Sequence, residues 1–234
     1  MRQPNWQVMI ADVRASRRLS PSLRARLPAE IRRALRQSQE LDENAYRLMP
    51  ELLKGDEIQA VLRANAAALQ IATYLRAKLA VTTGGAVQLR IGIGGGSIDR
   101  LSRKGPFESD GPAFHRARAA LEQARAAGGS RATAWIVGEQ VFDRLADGVL
   151  GLYDAVSTRW TVPQWAAIQG RIEGKEQRVI AAESNVSIQS VSKRLLLASW
   201  NEVRSASALL EQLARLQMGE SRPEPAGERS SQGS

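Results

Sequence analysis

Hydrophobic positions in the first third of the chain alternate between strand-length runs and helical stripes. An apolar run from Trp6 to Ala11 stops at Asp12 and predicts a mostly buried strand. Ser20 and Pro21 then supply an N-cap and a first-turn proline, which predict the start of a helix. The apolar face of this helix recurs at helical spacing: Leu23, Leu27, Ile31, Ala34, Leu35 and Leu41.

Two short strands, a second helix and a further strand follow. The runs Tyr46–Leu53 and Ile58–Leu62 lie so close together that only a tight hairpin joins them. Thr83-Gly84-Gly85 ends the next helix, and Val87–Ile93 predicts another strand. The stripe of that helix is Ala64, Ala68, Ala72, Leu75 and Leu79. This order predicts an α+β fold that begins with a ferredoxin-like, palm-type βαββαβ domain.

The predicted topology brings two carboxylates to one edge of the sheet. The right-handed crossover rule makes the first and second strands parallel, with the third antiparallel between them. Asp12 is therefore expected beside Asp56 of the hairpin, whereas Glu57 is expected to point to the other face. Neighbouring carboxylates repel unless a cation lies between them, and Mg²⁺ or Mn²⁺ prefers such oxygens. The alternative is ordinary turn chemistry without a metal.

Four short runs resemble those of a known family. They are Ile10–Arg17, Gly55-Asp56-Glu57, Arg90–Gly94 and Asp110–His115. Together they resemble the SatD family of bacterial proteins over most of the chain. More distantly, the same half is similar to the palm domains of class III nucleotide cyclases and diguanylate cyclases. That resemblance implies metal ions at Asp12 and Asp56 and a nucleotide held by Ser16, Arg17, Lys54 and Gly55.

The chain departs from the cyclase pattern at the catalytic positions. His115 stands where those enzymes carry asparagine, and Ala119 stands where they carry arginine. Arg118 comes one residue early, about 100° around a helix from the expected direction. Lys54 replaces the second glycine of the diguanylate cyclase hairpin. These departures favour nucleotide binding without turnover, so we assign no catalytic residue.

Two further features of this half have structural interpretations. The glycines Gly92, Gly94, Gly95 and Gly96 are expected to form a loop with close backbone packing, at the edge opposite Asp12, and not a phosphate cradle. His115 is the only histidine of the chain. It is expected on the polar face of a helix with Arg118, Glu122 and Arg125, opposite the stripe Ala113, Ala117, Ala120, Leu121 and Ala124.

From about residue 161 the pattern changes to consecutive short helices. The segment Gln177–Leu195 resembles a bacterial helix-turn-helix. Ala181 matches the small residue where the helices cross, and Asn185 matches the left-handed turn position. Val191 matches the anchor of the second helix, and Ser187 is suited to cap that helix.

The outward positions of this segment suit contact with DNA. Base edges are met by the first turns of the second helix, and arginines around it reach phosphates. The residues expected at DNA are Arg178, Ser187, Ile188, Gln189, Ser190, Lys193 and Arg194, with Arg204 as a further phosphate contact. The alternative is a buried helical hairpin without DNA contact.

Composition agrees with a nucleic-acid partner. The chain of 234 residues has a formal net charge of +9 and a pI near 10.7, mainly from arginine. It contains no cysteine, which excludes disulfides, thiol nucleophiles and cysteine zinc sites and fits the cytoplasm. We expect no membrane segment. The predicted divisions are a cyclase-like palm domain at 1–158, helices at 159–218 and a disordered tail at 219–234.

The last predicted helix continues from the helix-turn-helix and carries an apolar seam. Its members are Val203, Ala206, Leu210, Leu213 and Leu216. Helix-turn-helix regulators commonly bind DNA as dimers, so the seam favours a homodimer. The sequence as a whole favours a DNA-binding regulator whose palm-like domain binds a nucleotide and Mg²⁺ or Mn²⁺. The alternative is a metal-dependent nucleotide cyclase or nucleotidyl-transfer enzyme with structural C-terminal helices, and a third interpretation is a scaffold.

Overall fold

The computed structural model describes residues 5–53 and 56–219, which form one five-stranded sheet and eight α-helices within those ranges. The strands are β1 (Trp6–Val13), β2 (Tyr46–Leu52), β3 (Ile58–Arg63), β4 (Leu89–Gly96) and β5 (Thr133–Ile136). The helices are α1 (Pro21–Leu41), α2 (Ala68–Thr82), α3 (Pro112–Ala127), α4 (Gln140–Ser157), α5 (Val162–Ile172), α6 (Gln177–Glu183), α7 (Ile188–Leu197) and α8 (Trp200–Met218).

The sheet has the strand order β2-β3-β1-β4-β5. β3 pairs antiparallel with both β1 and β2, so β1 and β2 run in the same direction, as predicted. β4 pairs antiparallel with β1 and parallel with β5, a strand that the sequence pattern did not predict. β1 continues two residues beyond Ala11, and Asp12 is therefore a strand residue paired with Arg90.

The local signals at α1 act as the sequence predicted. The Ser20 hydroxyl accepts a hydrogen bond from the Leu23 amide at 3.3 Å, and Pro21 opens the helix. The predicted stripe is buried except for Leu41, which is 38% exposed. α2 begins later than its stripe suggested, because Ala64 lies in the turn before it.

The two faces of the sheet are covered by different helices. Met9 and Ala11 of β1 lie in a core with side chains of α1, α2, α4 and α8. Val8 and Ile10 point the other way and pack with α3. This alternation follows from the two-residue period of a strand, and it places Asp12 on the α3 face.

Two glycines let the backbone of α3 rest directly on β4. A Cβ atom on Gly92 would lie 2.3 Å from the Ala117 carbonyl oxygen, and one on Gly94 would lie 2.2 Å from the Ala113 carbonyl oxygen. The prediction of close backbone packing is right at these positions. The predicted loop is wrong, because Gly92 to Gly96 all belong to β4. A hydrogen-bonded strand leaves no room for a phosphate at these amides.

A second core joins the C-terminal helices to α2. The Trp160 ring packs edge-on against Trp165 at 4.6 Å and against Trp200 at 6.3 Å between centroids. Ala77 and Ala80 of α2 belong to the same cluster. The parts of the chain on either side of residue 158 therefore share one set of buried contacts.

A buried ion pair lies beside this junction. Arg76 of α2 donates to Asp154 of α4 at 3.0 Å, and the two side chains are 7% and 0% exposed. The other Asp154 oxygen accepts from the backbone amides of Ala132 and Thr133, each at 2.7 Å. The guanidinium also lies 5.7 Å from the Trp165 ring. Asp154 thus fixes the start of β5, and Arg76 links the sheet helices to the C-terminal core.

The last helix differs from its prediction in two ways. Ser199 has a φ of 50° and separates α7 from α8, so the helix does not continue. Val203 and Leu210 of the predicted seam are buried within the chain, whereas Ala206, Leu213 and Leu216 are exposed. The buried face is Val203, Leu210, Ala214 and Met218.

Helix α8 connects the two cores. Val203 packs in the tryptophan core, whereas Leu210, Ala214 and Met218 pack in the sheet core. Glu211 is 6% exposed and accepts a hydrogen bond from the Gln70 amide in the first turn of α2 at 3.0 Å. Burial raises the pKa of this carboxyl above its usual range.

Among the described residues, no helix has both the length and the apolar character that a membrane crossing needs. Residues 220–234, which make up most of the predicted disordered tail, lie outside the described residues.

The contact between α3 and β4 predicts a large difference between two glycines. Gly92→Ala should lower the free energy of unfolding by about 1–3 kcal/mol, because its methyl group meets backbone atoms that cannot move aside. Gly148→Ala is the matched control, since its methyl group points into open space on α4 and should raise stability by about 0.5–1 kcal/mol. Urea unfolding followed by circular dichroism measures both, and equal effects would contradict the direct backbone contact.

Candidate functional site

The acidic edge predicted from the sequence is bound by arginines of α3. Asp12 lies near the end of β1 and is 8% exposed. Arg125 donates from Nε at 2.9 Å and from Nη2 at 2.5 Å, both to Oδ2 of Asp12. Arg90, the cross-strand neighbour of Asp12, has its Nη1 atom 3.9 Å from the same oxygen. Within the described part of the chain, Oδ1 of Asp12 is buried without a hydrogen-bond partner.

Glu57, and not Asp56, is the cross-strand neighbour of Asp12. The last register pair of β1 and β3 is Ala11 with Ile58, so the next step places Glu57 opposite Asp12. Such pairs have Cβ atoms about 5 Å apart on one face of the sheet. The expectation that Glu57 points to the other face is therefore wrong. That expectation paired Asp12 with Asp56, and a shift of one residue in the register places Glu57 on the same face as Asp12.

The Glu57 carboxylate is held by Arg118 in a two-pronged pair. Arg118 Nη1 donates to Oε2 at 2.8 Å, and Nη2 donates to Oε1 at 3.0 Å. Gln59 donates to Oε1 at 2.9 Å. Burial acts to raise the pKa of Glu57, but the hydrogen bonds from Arg118 and Gln59 outweigh it and leave the pKa below its usual range.

The polar face predicted for α3 provides both arginines. His115, Arg118, Glu122 and Arg125 face away from the buried alanine stripe, as predicted. Arg125 also contacts Glu122, and hydrogen bonds and charges of Asp12 and Glu122 raise its pKa against the opposing effect of burial. His115 is exposed, with Nε2 3.5 Å from Oδ1 of Asp110. The periodicity identified these residues, but it did not indicate that they reach Asp12 and Glu57.

The other residues of the predicted nucleotide site are not brought to this edge by any described contact. Lys54 and Gly55 lie outside the described residues. Asp56 is half-buried, and no described hydrogen bond or ion pair involves its carboxylate. Ser16 and Arg17 form a 3₁₀ turn after Ala15, and the Arg17 carbonyl oxygen accepts from Arg24 at 2.8 Å. The nucleotide site stays a prediction.

The carboxylates of this edge do not fit Mg²⁺ or Mn²⁺ as they stand. Oδ2 of Asp12 is bound to Arg125, and both oxygens of Glu57 are bound to Arg118. Across residues 5–53 and 56–219, no group of three or more histidines or acids is placed to hold a metal ion. A cation at Asp12 needs Arg125 to leave, and the predicted ligand Asp56 is not joined to Asp12 by a described contact.

The helix pair α6 and α7 has the local geometry predicted for it. Ala181 and Val191 are buried, and Asn185 has a φ of 50° in the turn between the helices. Ser187 caps α7, with its hydroxyl accepting from the Ser190 amide at 3.2 Å. Ser184 is the C-cap residue of α6 and is half-buried.

The face of α7 opposite its buried anchors is open to solvent. Val191 and Leu195 pack inward, while Ile188 is 50% exposed at the first turn. The predicted DNA contacts differ in exposure: Ser187, Gln189, Lys193, Arg178 and Arg204 are exposed, and Ser190 and Arg194 are half-buried. The Arg178 side chain contacts Glu176 at 2.6 Å. The outward face of α7 is therefore not covered by the described part of the chain.

Comparisons with known proteins give a family and a structural neighbour. A family model described as SatD family matches residues 7–203. The chain matches none of the curated proteins. Among solved structures, the active GGEEF domain of a diguanylate cyclase from Vibrio cholerae is similar, with 14% identity and a TM-score of 0.39. That similarity covers 53% of this chain and 79% of the other chain.

The lowered pKa of Glu57 predicts a pH-dependent contribution to stability. In wild type the pair with Arg118 contributes fully above the unfolded glutamate pKa of about 4.3, and the contribution is lost as the pH falls through the lower folded value. Glu57→Gln should therefore cost about 0.5–1 kcal/mol at neutral pH and nothing in strong acid. Urea unfolding from pH 3 to pH 7 measures this difference, with the exposed Glu202→Gln as control. A cost that persists in strong acid would contradict the ion pair.

Proposed function

The chain belongs to the SatD family, and we propose that it is a DNA-binding regulatory protein in which α6 and α7 form a helix-turn-helix. The observation that carries this proposal is the exposure of the first turns of α7. Gln189 and Lys193 are open to solvent while Val191 and Leu195 hold the opposite side of the helix in the core. A helix presented in this way suits a major groove, where side chains of its first turns meet base edges.

Local charge supports the same surface. No acidic residue occurs between Glu183 and Glu202, a stretch that contains the turn and the whole of α7. No carboxylate close in sequence therefore offsets the positive charges of Lys193 and Arg194, which favours their attraction to a phosphate backbone. The formal net charge of +9 adds a long-range attraction of the same sign.

The N-terminal part is proposed as a palm-type regulatory domain. The order β2-β3-β1-β4 supports a ferredoxin-like arrangement at 1–158, with the helical domain at 159–218. Two connections support coupling between them: the shared core of α2 with the tryptophan cluster, and α8, which packs in both cores. A ligand of the sheet domain, such as the predicted nucleotide, would act on DNA affinity through these contacts.

Metal-dependent nucleotidyl chemistry is the alternative drawn from the sequence. It requires carboxylates that are available to a divalent cation. Asp12 and Glu57 each use their oxygens for an arginine of α3. A screen of the common nucleoside triphosphates with manganese, monitored for product, tests that alternative directly.

A homodimer is part of the proposal. Leu209, Leu213 and Leu216 form a second apolar stripe on the solvent side of α8, and Leu209 is 62% exposed. Leucines spaced in this way on one helix suit a twin helix, and a symmetric pair would present two copies of α7. In sedimentation equilibrium the wild-type chain should be a dimer, and the Leu209→Glu variant should be a monomer. A wild-type chain that sediments as a monomer at micromolar concentration would remove the dimer from the proposal.

The proposed interface predicts distinct effects for two side chains of α7. In anisotropy titrations with labelled genomic DNA fragments, Lys193→Ala should reduce the slope of log affinity against log salt by about 0.9, because one phosphate contact is lost. Gln189→Ala should cost about 1–3 kcal/mol on a preferred fragment by removing a base contact.

The control for these variants is Lys104→Ala, which removes an exposed lysine in the segment after β4. It should leave both the affinity and the salt dependence unchanged. Absence of wild-type binding at low salt, or unaltered binding by both α7 variants, would contradict the helix-turn-helix proposal.

A further inference from the structure

The charged groups at the Asp12 edge balance one another. The acids come from β1, from the residue just before β3 and from α3: Asp12, Glu57 and Glu122. Three guanidinium groups contact them: Arg90, Arg118 and Arg125. Within the described part of the chain, this cluster has as many positive as negative charges. Uncompensated carboxylates would repel one another and would attract a metal ion. Here the arginines already neutralise that negative charge.

The position of α3 fixes which arginine meets which acid. Because the helix backbone rests on β4 at Gly92 and Gly94, movement of α3 along the sheet would bring it against strand residues that carry side chains. Arg118 and Arg125 lie seven residues apart and thus on the same side of the helix, about 10 Å along its axis. One reaches Glu57 and the other reaches Asp12.

We propose that Arg125 is a tethered cation that replaces a divalent metal ion at Asp12 and excludes Mg²⁺ and Mn²⁺ from this edge. Two donors on one planar group bind Oδ2 of Asp12, so a metal ion would find only the buried Oδ1 atom without a partner in the described part. A fixed positive charge in contact with the carboxylate also repels a second cation. This inference concerns the sheet domain alone and does not depend on DNA binding by α7.

Removal of Arg125 should convert the edge into a metal site. Asp12 would then keep only the longer ion pair from Arg90 to Oδ2, while Oδ1 already lacks a partner in the described part. Glu122 would lose its contact with Arg125 at the same time, while Glu57 would keep Arg118. With Arg125 removed, Asp12 and Glu122 both lose their closest positive charge, which favours a hard divalent cation with water filling the remaining positions.

Thermal unfolding of the full-length chain with and without millimolar manganese tests the proposal. Wild type should show the same Tm in both conditions. Arg125→Ala should lower the Tm by about 2–8 °C without metal, because a mostly buried carboxylate loses both of its hydrogen bonds and keeps only the longer contact with Arg90. Manganese should then raise the Tm of this variant by about 3–8 °C.

Two variants serve as matched controls. Arg118→Ala removes the neighbouring arginine but leaves Arg125 on Asp12, so its Tm should not respond to manganese. Asp12→Asn combined with Arg125→Ala removes both charges, and its Tm should also not respond. A manganese response in either control, or none in Arg125→Ala, would overturn the proposal.

A measurement on the wild-type chain tests exclusion without any variant. Manganese ions broaden NMR signals of nearby nuclei. The amide signals of Asp12 and Glu57 should keep their widths in millimolar manganese. Selective broadening of these two signals would show a metal ion at the edge and would overturn the proposal even if Arg125→Ala does not fold. Retained DNA binding in that case would leave the proposed function of α7 standing.

Discussion

Helix α3 lies against β4 with no side chain between the two backbones, and the rest of the acidic edge depends on this contact. At Gly92 and Gly94 even a methyl group would approach carbonyl oxygens of α3 to well under a normal contact distance. The two glycines therefore set both the distance between α3 and the sheet and the position of α3 along β4. From that position Arg118 and Arg125 extend beyond the packed alanines to the neighbouring strands β3 and β1. Close packing at two glycines thus determines which arginine of α3 pairs with Asp12 and which pairs with Glu57.

The two halves of the molecule use charge in opposite ways. At the sheet edge, acids and arginines contact one another, and a partner would have to break existing pairs. On α7, Lys193 is exposed and its sequence neighbours carry no negative charge. Binding of an anion costs less where no internal ion pair must be broken, and the proposed assignment of DNA contact to α7 rests on this difference. The sheet domain is better suited to give shape and rigidity to that surface.

Sequence patterns predicted most of what depends on local spacing. The N-cap of α1, the polar face of α3 and the left-handed Asn185 all follow from residue type and period. The Asp12 partner does not, because the register between β1 and β3 decides whether residue 56 or 57 stands opposite, and a single step reverses the face. The reach of Arg125 likewise depends on how α3 packs, which no spacing within α3 reveals. β5 is only four residues long and is anchored by the distant Asp154, so its own sequence carries little signal.

Helix α8 begins among the tryptophans and ends beneath the sheet, and on its way the Glu211 carboxylate occupies the first-turn amides of α2. Because α8 contributes side chains to both hydrophobic cores, the C-terminal helices are not an independent domain. A chain truncated after α4 would lack the side chains that α8 contributes to the core of the sheet. Helices α5 to α8 without the sheet would expose the apolar side of α8. Under the proposed DNA-binding role, a change of specificity therefore has to proceed by substitution on the surface of α7, with the rest of the fold kept unchanged.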